Sequence, residues 1–429
     1  MSAALTLDEL AAIQRRTVRI LSLGQVLGGI AFGATVSLGA LLAADLSGSD
    51  ALSGLATASV TLGAAAFAIP LARFAARRGR RLSLTAGNLL ALIGVATVIT
   101  AAATRLFPLL LIGIIMIGMG NAGNLQSRFA ATDLAAPAHR ARDLSVVVWS
   151  TTVGGVTGPL LLTPGEALGH AIGMPPLTGS YLFSLVAQIA ALILYLVALR
   201  PDPLLTALHL AKTTTTASPL GTGVDRPVVA RYAMFAVAGS HAVMASVMAM
   251  TPIHLSHMAH GAHGSMPSST DVTLLVGITI ALHVAGMYGL SPLFGILSDR
   301  WGRVRVVLLG QAVLAASLLT AIFAGRTPAG VMIALILLGL GWSAATVAGA
   351  ALLTESSTVT MRPRRQGISD SLMSLTAAAS AAAAGWVLTT FDYAGLGIVA
   401  LVFVIAITAL SPLGRIRETA VEADPAATA

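Results

Sequence analysis

Apolar residues along the chain fall into runs of about 20 residues separated by short polar turns. A run of that length is what an α-helix needs to cross the hydrocarbon core of a bilayer. The pattern predicts twelve transmembrane helices, at residues 20–44, 52–72, 82–103, 106–125, 144–163, 179–199, 230–251, 272–297, 304–324, 331–353, 367–390 and 394–411. We therefore expect an all-α membrane protein with no soluble domain.

The two halves of the chain repeat the same polar turns at a fixed offset. The repeated positions, 222 or 223 residues apart, are Pro70, Arg78, Gly79, Arg80, Thr132, Asp133, Arg140 and Arg142 against Pro292, Trp301, Gly302, Arg303, Thr354, Glu355, Arg362 and Arg364. Two parallel six-helix repeats are typical of transporters. We divide the chain into a first half at residues 1–199, a cytoplasmic linker at 200–229 and a second half at 230–429.

Composition and charge support a membrane protein and exclude other classes. The chain is 56% hydrophobic and only 10% charged, which is more apolar than a soluble domain. With a cytoplasmic N-terminus, 23 of the 25 Lys and Arg residues fall inside and only Arg105 and Arg326 fall outside, as the positive-inside rule requires. The net charge of +8 is thus explained without nucleic acid. Cysteine is absent, which excludes disulfides and thiolate metal sites.

One stretch, residues 234–287, concentrates methionine and histidine. It holds seven of the 14 methionines and six of the nine histidines. Thioether and imidazole groups together suit soft or borderline metals, copper above all. His241, Met244 and Met248 share one face of the seventh predicted helix, and His283 and Met287 lie one turn apart on the eighth. We expect these five side chains to form a ladder of copper ligands from the outer side to mid-membrane.

Each ladder residue also has a plainer interpretation. Methionine is a flexible apolar filler, so a stripe of methionines can be packing alone. An ionisable group at mid-membrane is costly and is therefore a functional candidate. His283 could nevertheless be a hydrogen-bonded structural group or a proton carrier.

An irregular outer segment follows the seventh predicted helix and carries a second group of histidines. Its candidate metal-capture residues are His254, His257, Met258, His260 and His263. A short His-rich tract is a compositional metal-binding signal, although a solvated glycine-rich loop with no specific role would look the same. Capture on the outer side would favour uptake over export.

The turn after the eighth predicted helix reads GILSDRWGRVRVV. This turn resembles the signature of the major facilitator superfamily, and the resemblance implies the major facilitator fold over essentially the whole chain. It also implies a cytoplasmic gate at Asp299, Arg300 and Arg303. The first-half copy has Ala76 where the signature has aspartate, which argues against a charge clasp in the first half.

A narrower resemblance concerns the substrate. The motifs Met244-x-x-x-Met248 and His283-x-x-x-Met287 resemble those of the CcoA-like bacterial copper importers, which supply copper for cytochrome c oxidase assembly. The resemblance implies that these four residues handle copper.

Polar residues elsewhere in the predicted helices bear on the alternative functions. Asn121, Asn124 and Gln126 form a polar patch near the inner end of the fourth predicted helix, where inter-helix hydrogen bonding is favoured over substrate contact. We find no carboxylate clearly in mid-helix, because Asp133 and Asp370 lie near cytoplasmic ends. This weakens a proton-driven mechanism, which usually needs a buried carboxylate.

The predicted function is secondary active import of copper by alternating access. Copper is the transported substrate, and no cofactor or enzymatic activity is expected. The predicted setting is a bacterial cytoplasmic membrane, where a monomer with both termini inside transfers copper to a cytoplasmic copper chaperone. The alternative is a proton-coupled exporter of small organic compounds or drugs, with His283 as the titrating group.

Overall fold

The structure is a computed structural model that describes residues 6–48, 52, 54–213, 225–261 and 269–415. The helices are Leu7–Ser47 (α1), Gly54–Thr104 (α2), Phe107–Ala130 (α3), Arg140–Leu160 (α4), Leu162–Ala171 (α5), Tyr181–Ile193 (α6), Pro203–Thr213 (α7), Pro227–Gly261 (α8), Ser269–Tyr288 (α9), Ser291–Trp301 (α10), Arg303–Ala324 (α11), Pro328–Glu355 (α12) and Arg362–Ala409 (α13). Short 3-10 or π turns follow at Pro137–His139, Leu194–Ala198 and Ser411–Arg415.

These helices accommodate the twelve predicted spans. Within the described residues, nine stretches are long and apolar enough to cross a membrane. Helix α2 is broken at Gly79, where φ is 87°, so its two arms are the second and third spans. Helix α13 is broken at Asp392 and provides the last two. Helices α9 and α10 together form the eighth span, and the all-helical fold is confirmed.

Three segments differ from the sequence-based expectation. The predicted linker contains α7, whose Leu204 and Ala207 are fully buried: α7 packs on α2, and Ala207 shares a small apolar cluster with Leu10 of α1. The outer loop after the fifth span contains α5. The predicted irregular segment after residue 251 continues as helix to Gly261, even though Pro252 lies within it.

The chain enters the bundle through a capped helix. Thr6 accepts a hydrogen bond from the Glu9 backbone N–H, and the Glu9 carboxylate accepts one from the Thr6 backbone N–H at 2.8 Å. This reciprocal capping box satisfies N–H groups that would otherwise lack a partner. The hydrogen bonds from Thr6 lower the pKa of Glu9 below its ordinary value.

The two halves meet at one end of the bundle, which we call the arginine-rich side; it is marked by Arg80, Arg140, Arg303 and Arg362. At this side the hydroxyls of Thr132 and Thr354 lie 3.5 Å apart. The two threonines are also 222 residues apart, which is the repeat offset. A residue that touches its own repeat partner lies on the pseudo-twofold axis, so the structure contains the symmetry that the sequence repeat predicts.

Close helix crossings flank this axis and are also related by the repeat. A Cβ on Gly295 of α10 would clash with Ser145 of α4, and a Cβ on Gly367 of α13 would clash with Ala72 of α2. Small residues at these two crossings allow the backbones of opposite halves to approach closely. The arginine-rich side is therefore closed by packing as well as by polar contacts.

The cysteine-free chain allows a direct test of this contact. We expect Thr132→Cys/Thr354→Cys to form a disulfide on mild oxidation, because sulfur atoms in place of hydroxyls 3.5 Å apart need only a small movement to reach the S–S bond length of about 2.05 Å. Cleavage at a protease site inserted between residues 214 and 224, followed by a non-reducing gel, measures whether the halves stay linked. The control Thr132→Cys/Thr327→Cys, with its second cysteine at the opposite end of α12, should separate. Separation of the first variant as well would contradict the closed contact.

Candidate functional site

A buried ion pair joins the halves between α3 and α13. The Arg128 guanidinium donates to Asp370 Oδ1 at 2.5 Å, and their side chains are 5% and 0% exposed. Asp370 Oδ2 and Arg128 Nε have no hydrogen-bond partner among the described residues. Buried charges of this kind are costly unless paired. The pair therefore leaves one acceptor and one donor that are buried without a hydrogen-bond partner among the described residues.

This pair corrects the expectation that the chain lacks a buried carboxylate within its helices. Asp370 is the ninth residue of α13, so it lies about 12 Å along the helix from Arg362. The apolar run that begins near residue 367 predicts that Asp370 lies at the cytoplasmic end of its helix. The helix instead begins at Arg362, and the surrounding helices bury Asp370 completely.

A second buried pair lies on the same side within the first half. Arg80 Nε donates to Asp133 Oδ2 at 2.8 Å, and both side chains are fully buried. The same guanidinium donates to Gln366 Oε1 of the second half at 2.5 Å. The expectation that Ala76 deprives the first half of a charge clasp is therefore wrong. Asp133 provides the carboxylate from the end of the fourth span.

The predicted gate residues Asp299 and Arg303 do meet. Arg303 contacts Asp299 at 2.9 Å and Glu355 at 2.6 Å. The Asp299 carboxylate also accepts from the backbone N–H groups of Ala141 and Arg142 at 3.1 and 2.9 Å. These N–H groups belong to the first turn of α4, where a negative charge is favourable. Asp299 thus caps a helix of the opposite half.

Arg303 also crosses the interface, whereas Arg300 does not take part. Arg303 donates to the Pro137 carbonyl at 2.7 Å. Arg300 is exposed and points away from this network, because it lies about 100° around the helix from Asp299. The structure thus brings together Asp299 and Arg303 with Glu355 and leaves Arg300 outside this network; the role of these residues as a gate stays a prediction.

Three ring-bearing residues lie deeper in the second half. Trp342 Nε1–H donates to His241 Nδ1 at 2.8 Å, and Tyr288 packs edge-on against Trp342 with ring centroids 5.8 Å apart. Each residue is 13 or 14 positions from the arginine-rich end of its span, which corresponds to about 20 Å. His241 and Tyr288 both interact electrostatically with the Arg128 guanidinium. The rings therefore lie near the Arg128–Asp370 pair and farther from the arginine-rich end of the bundle than the pair does.

The hydrogen bond from Trp342 determines which tautomer His241 adopts. Because Nδ1 accepts the indole N–H, the hydrogen of a neutral imidazole lies on Nε2. His241 therefore presents a donor rather than a metal-binding lone pair. Its side chain is partly exposed, so a solute between the halves could use this donor.

The other predicted copper ligands gather inside the second half. Met244 and Met287 belong to one buried apolar cluster with Leu314, Leu335 and Trp342, and Met248 packs against it. His283 is fully buried. The three methionines and His283 thus share one region, within the core of the second half rather than between the halves.

His283 has the bonding pattern of a metal-binding histidine. Its Nδ1 lies 2.8 Å from the Leu335 carbonyl oxygen, so Nδ1 carries the hydrogen and donates it. Its Nε2 is buried without a hydrogen-bond partner among the described residues. A ligating histidine is usually held by such a bond through its other nitrogen. Within the described residues no three His, Cys, Asp or Glu side chains group around a metal position, so sulfur would have to provide the remaining ligands.

The outer histidines fall partly outside the described residues. His254 is held inside the second half, with Nε2 2.7 Å from the Gly325 carbonyl oxygen and its ring stacked on Tyr393. His257, Met258 and His260 lie on the last turns of α8 rather than in a loop. His263 lies outside the described residues. Their role in metal capture stays a prediction.

The predicted polar patch on α3 lies against two neighbouring helices. Gln126 is buried and donates to the Ala68 carbonyl at 2.9 Å. Asn124 packs against Gly28 of α1, where a Cβ would clash with its amide. Asn121 is half-buried. The Gln126 bond is the inter-helix hydrogen bond that the sequence favoured.

Two six-helix repeats locked together by buried charges define a secondary transporter. The chain belongs to the Major Facilitator Superfamily, which it matches over residues 21–288 and again over 265–428. It is 35% identical over 393 residues to the uncharacterized MFS-type transporter YddS of Bacillus subtilis, covering 90% of this chain and 88% of that one. It is 32% identical over 424 residues to the riboflavin transporter RfnT of Brucella anthropi, covering 95% and 99%.

Solved structures agree on the fold. The human organic anion transporter MFSD10 superposes with a TM-score of 0.66 at 19% identity, covering 93% of this chain and 99% of that one. An outward-facing bacterial homologue of the iron transporter ferroportin gives 0.68 at 15% identity, with coverage of 93% and 99%. The chain is therefore a multi-pass membrane transporter of this superfamily.

A stability measurement tests the first-half clasp. We expect Asp133→Asn to cost about 3–5 kcal/mol, because it leaves the buried Arg80 guanidinium without its counter-charge. The matched control is Asp45→Asn, which breaks an exposed pair with Arg105 and should cost at most about 1 kcal/mol. Thermal unfolding in detergent measures both. Equal, small shifts for the two variants would contradict a buried clasp.

Proposed function

We propose that this protein is a proton-coupled secondary transporter of a small, planar organic solute rich in carbonyl or carboxylate oxygens. The observation that carries the proposal is the buried Arg128–Asp370 pair between the halves, with one donor and one acceptor unused. A solute that touches this pair touches both halves at once. It can therefore influence how they rock, which is the step that transport requires.

The surroundings of the pair favour an organic solute. Tyr288, backed by the buried Trp342, offers a partly exposed aromatic ring, and His241 offers an N–H donor. Aromatic surfaces with a few placed polar groups are typical of sites for small organic molecules. Riboflavin, which the relative RfnT is named for, has a planar ring system with carbonyl oxygens and fits this chemistry. We use it as the probe.

The arginine-rich side is taken as cytoplasmic, because positive charge collects there. The halves are then closed towards the cytoplasm in this structure. Opening of the cytoplasmic side must break the bonds of Arg128, Arg80 and Arg303 to the opposite half. A proton on Asp370 would weaken the first of these, since a neutral carboxyl attracts Arg128 less than a carboxylate does.

The charged groups around Asp370 determine how this step works. Arg128 of α3 and Arg80 of α2 act on it electrostatically, and both belong to the first half. Protonation of Asp370 thus reduces attraction between halves and leaves the Arg80–Asp133 pair within the first half intact. Proton entry is thus coupled to opening of the cytoplasmic side. The solute completes the cycle by accepting a hydrogen bond from the Arg128 guanidinium after Asp370 has released it.

Substitution of Asp370 tests the coupling. Riboflavin movement in proteoliposomes should accelerate under an imposed pH gradient, and Asp370→Asn should remove that acceleration because the amide cannot take up the proton. Exchange of riboflavin at equal pH on both sides should persist in the variant. Asp45→Asn, which alters an exposed carboxylate at the opposite side, should behave as wild type. Full gradient dependence in Asp370→Asn would contradict the proposal.

Copper import is the second candidate function. The observation in its favour is His283, whose Nδ1 is held by Leu335 and whose Nε2 has no partner. Met287 follows one turn later, and Met244 and Met248 share its cluster. Soft sulfur with imidazole nitrogen suits copper. The site would have to become accessible during the transport cycle, because His283, Met244 and Met287 are buried in this structure.

Copper accumulation separates the two candidates. If copper is the cargo, cells expressing the protein should accumulate radioactive copper, and His283→Ala or Met287→Ala should each reduce uptake to the level of cells without the protein. Met250→Ala is the matched control, because Met250 packs against a different apolar cluster. Equal copper content with and without the wild-type protein would rule out this candidate and leave riboflavin transport untouched.

A further inference from the structure

A cavity of about 540 Å³ opens on the arginine-rich side of the second half. It lies beside the turn between α10 and α11 and reaches the end of the described chain. The lining residues used below are Arg226, Trp301, Gly302, Arg305, Gly414 and Arg415. Arg303 and its two carboxylate partners form part of the cavity wall, but no ligand of this cavity has a part in the transport step proposed above.

The cavity has unbalanced positive charge. Its acidic residues, Asp299 and Glu355, are already bound to Arg303. The other three arginines, Arg226, Arg305 and Arg415, have no carboxylate partner among the described residues. Like charges gathered in a concave surface attract an anion.

The first half shows what such a turn binds. Gly79 and Gly302 are repeat partners, and both have positive φ, 87° and 96°. In the first half, the Asp202 carboxylate lies where a Cβ on Gly79 would stand. It accepts a hydrogen bond from the Arg81 backbone N–H at 2.7 Å. An anion therefore occupies the first-half turn.

The second-half turn has the same backbone but no such carboxylate. A Cβ on Gly302 would meet nothing within 4 Å, because the described chain places no acidic side chain there. A further polar group is unused nearby: the buried Tyr232 hydroxyl has no hydrogen-bond partner among the described residues. Its ring packs against Gly414, which lines the cavity.

We propose that this cavity binds the phosphate of an anionic lipid headgroup. Trp301 stands at its rim with 56% of its surface exposed, and tryptophan is typical of the membrane–water interface. Basic pockets at the cytoplasmic ends of spans attract anionic headgroups. The phosphate would take the place at the Gly302 turn that Asp202 takes at Gly79, with Arg226 and Arg415 as counter-charges. Lipid binding at this site would stabilise the closed arrangement of Arg303.

Native mass spectrometry of the delipidated full chain tests the proposal. With added phosphatidylglycerol, the wild type should retain one lipid more than it does with phosphatidylcholine. Arg226→Ala/Arg415→Ala should weaken that binding by about tenfold or more, because each arginine near an anionic headgroup contributes substantially to its binding. The control Arg231→Ala/Arg326→Ala removes two exposed arginines outside the cavity and should bind as wild type.

Three results would overturn the proposal. The first is equal phosphatidylglycerol binding by the cavity variant and its control, at matched thermal stability. The second is displacement of the lipid by inorganic phosphate at millimolar concentration, which would make a free anion the ligand. The third is lipid binding that occurs only after residues 416–429 are deleted. That segment carries Glu418, Glu422 and Asp424, so this result would make its carboxylates the occupant.

Discussion

Buried charge between the two halves is the constraint on which this structure depends. Three arginines, Arg80, Arg128 and Arg303, are buried, and each donates a hydrogen bond to the opposite half. In a low-dielectric interior an unpaired guanidinium costs several kcal/mol, so these groups hold the halves together only while all their partners are in place. In the mechanism we propose, the same property makes the contact switchable, because one proton on one carboxylate weakens the attraction between the halves.

The two repeats use the same turn in different ways. In the second half, Asp299 caps α4 of the opposite half, and Arg303 binds Glu355. In the first half, Ala76 provides no cap, and Arg80 reaches Asp133 and Gln366 instead. At one crossing between the halves, the contact is thus a carboxylate, Asp299, that caps a helix. At the other crossing, it is a hydrogen bond from Arg80 to the neutral side-chain amide of Gln366. This asymmetry gives the two crossings different sensitivity to protonation.

The sequence predicted the fold well, whereas it did not reveal the buried pairs between the halves. Apolar run length and the 222-residue repeat determine the spans, because they reflect bilayer thickness and gene-level duplication. Asp299 and Arg303 were found because a signature marks them. Asp370 was missed because its depth depends on where α13 begins, which the apolar pattern does not reveal. The His283 bond to Leu335 was also invisible, since it depends on how α9 packs on α12.

Some features of the site could have been found from the sequence. Arg128 follows the fourth predicted span, 106–125, by three residues, and a charged residue that a helix carries into a bundle demands a counter-charge. Asp370 lies at the end of a predicted span and is the natural partner in the other half. Trp342 gave no such indication, because a tryptophan in an apolar helix is equally consistent with packing. Its hydrogen bond to His241 Nδ1 argues against His241 as a copper ligand, which stays a prediction for this residue.

The central claim is that a proton on Asp370 loosens the arginine-rich side, and a distance measurement tests it most directly. Spin labels at Arg77→Cys in the first half and Arg364→Cys in the second, both exposed positions on that side, can be followed by double electron–electron resonance. The account predicts that acidification shifts the distance distribution to longer values in otherwise wild-type protein. With Asp370→Asn, the longer distances should be present at every pH. Distributions that respond equally to pH with and without Asp370 would contradict it.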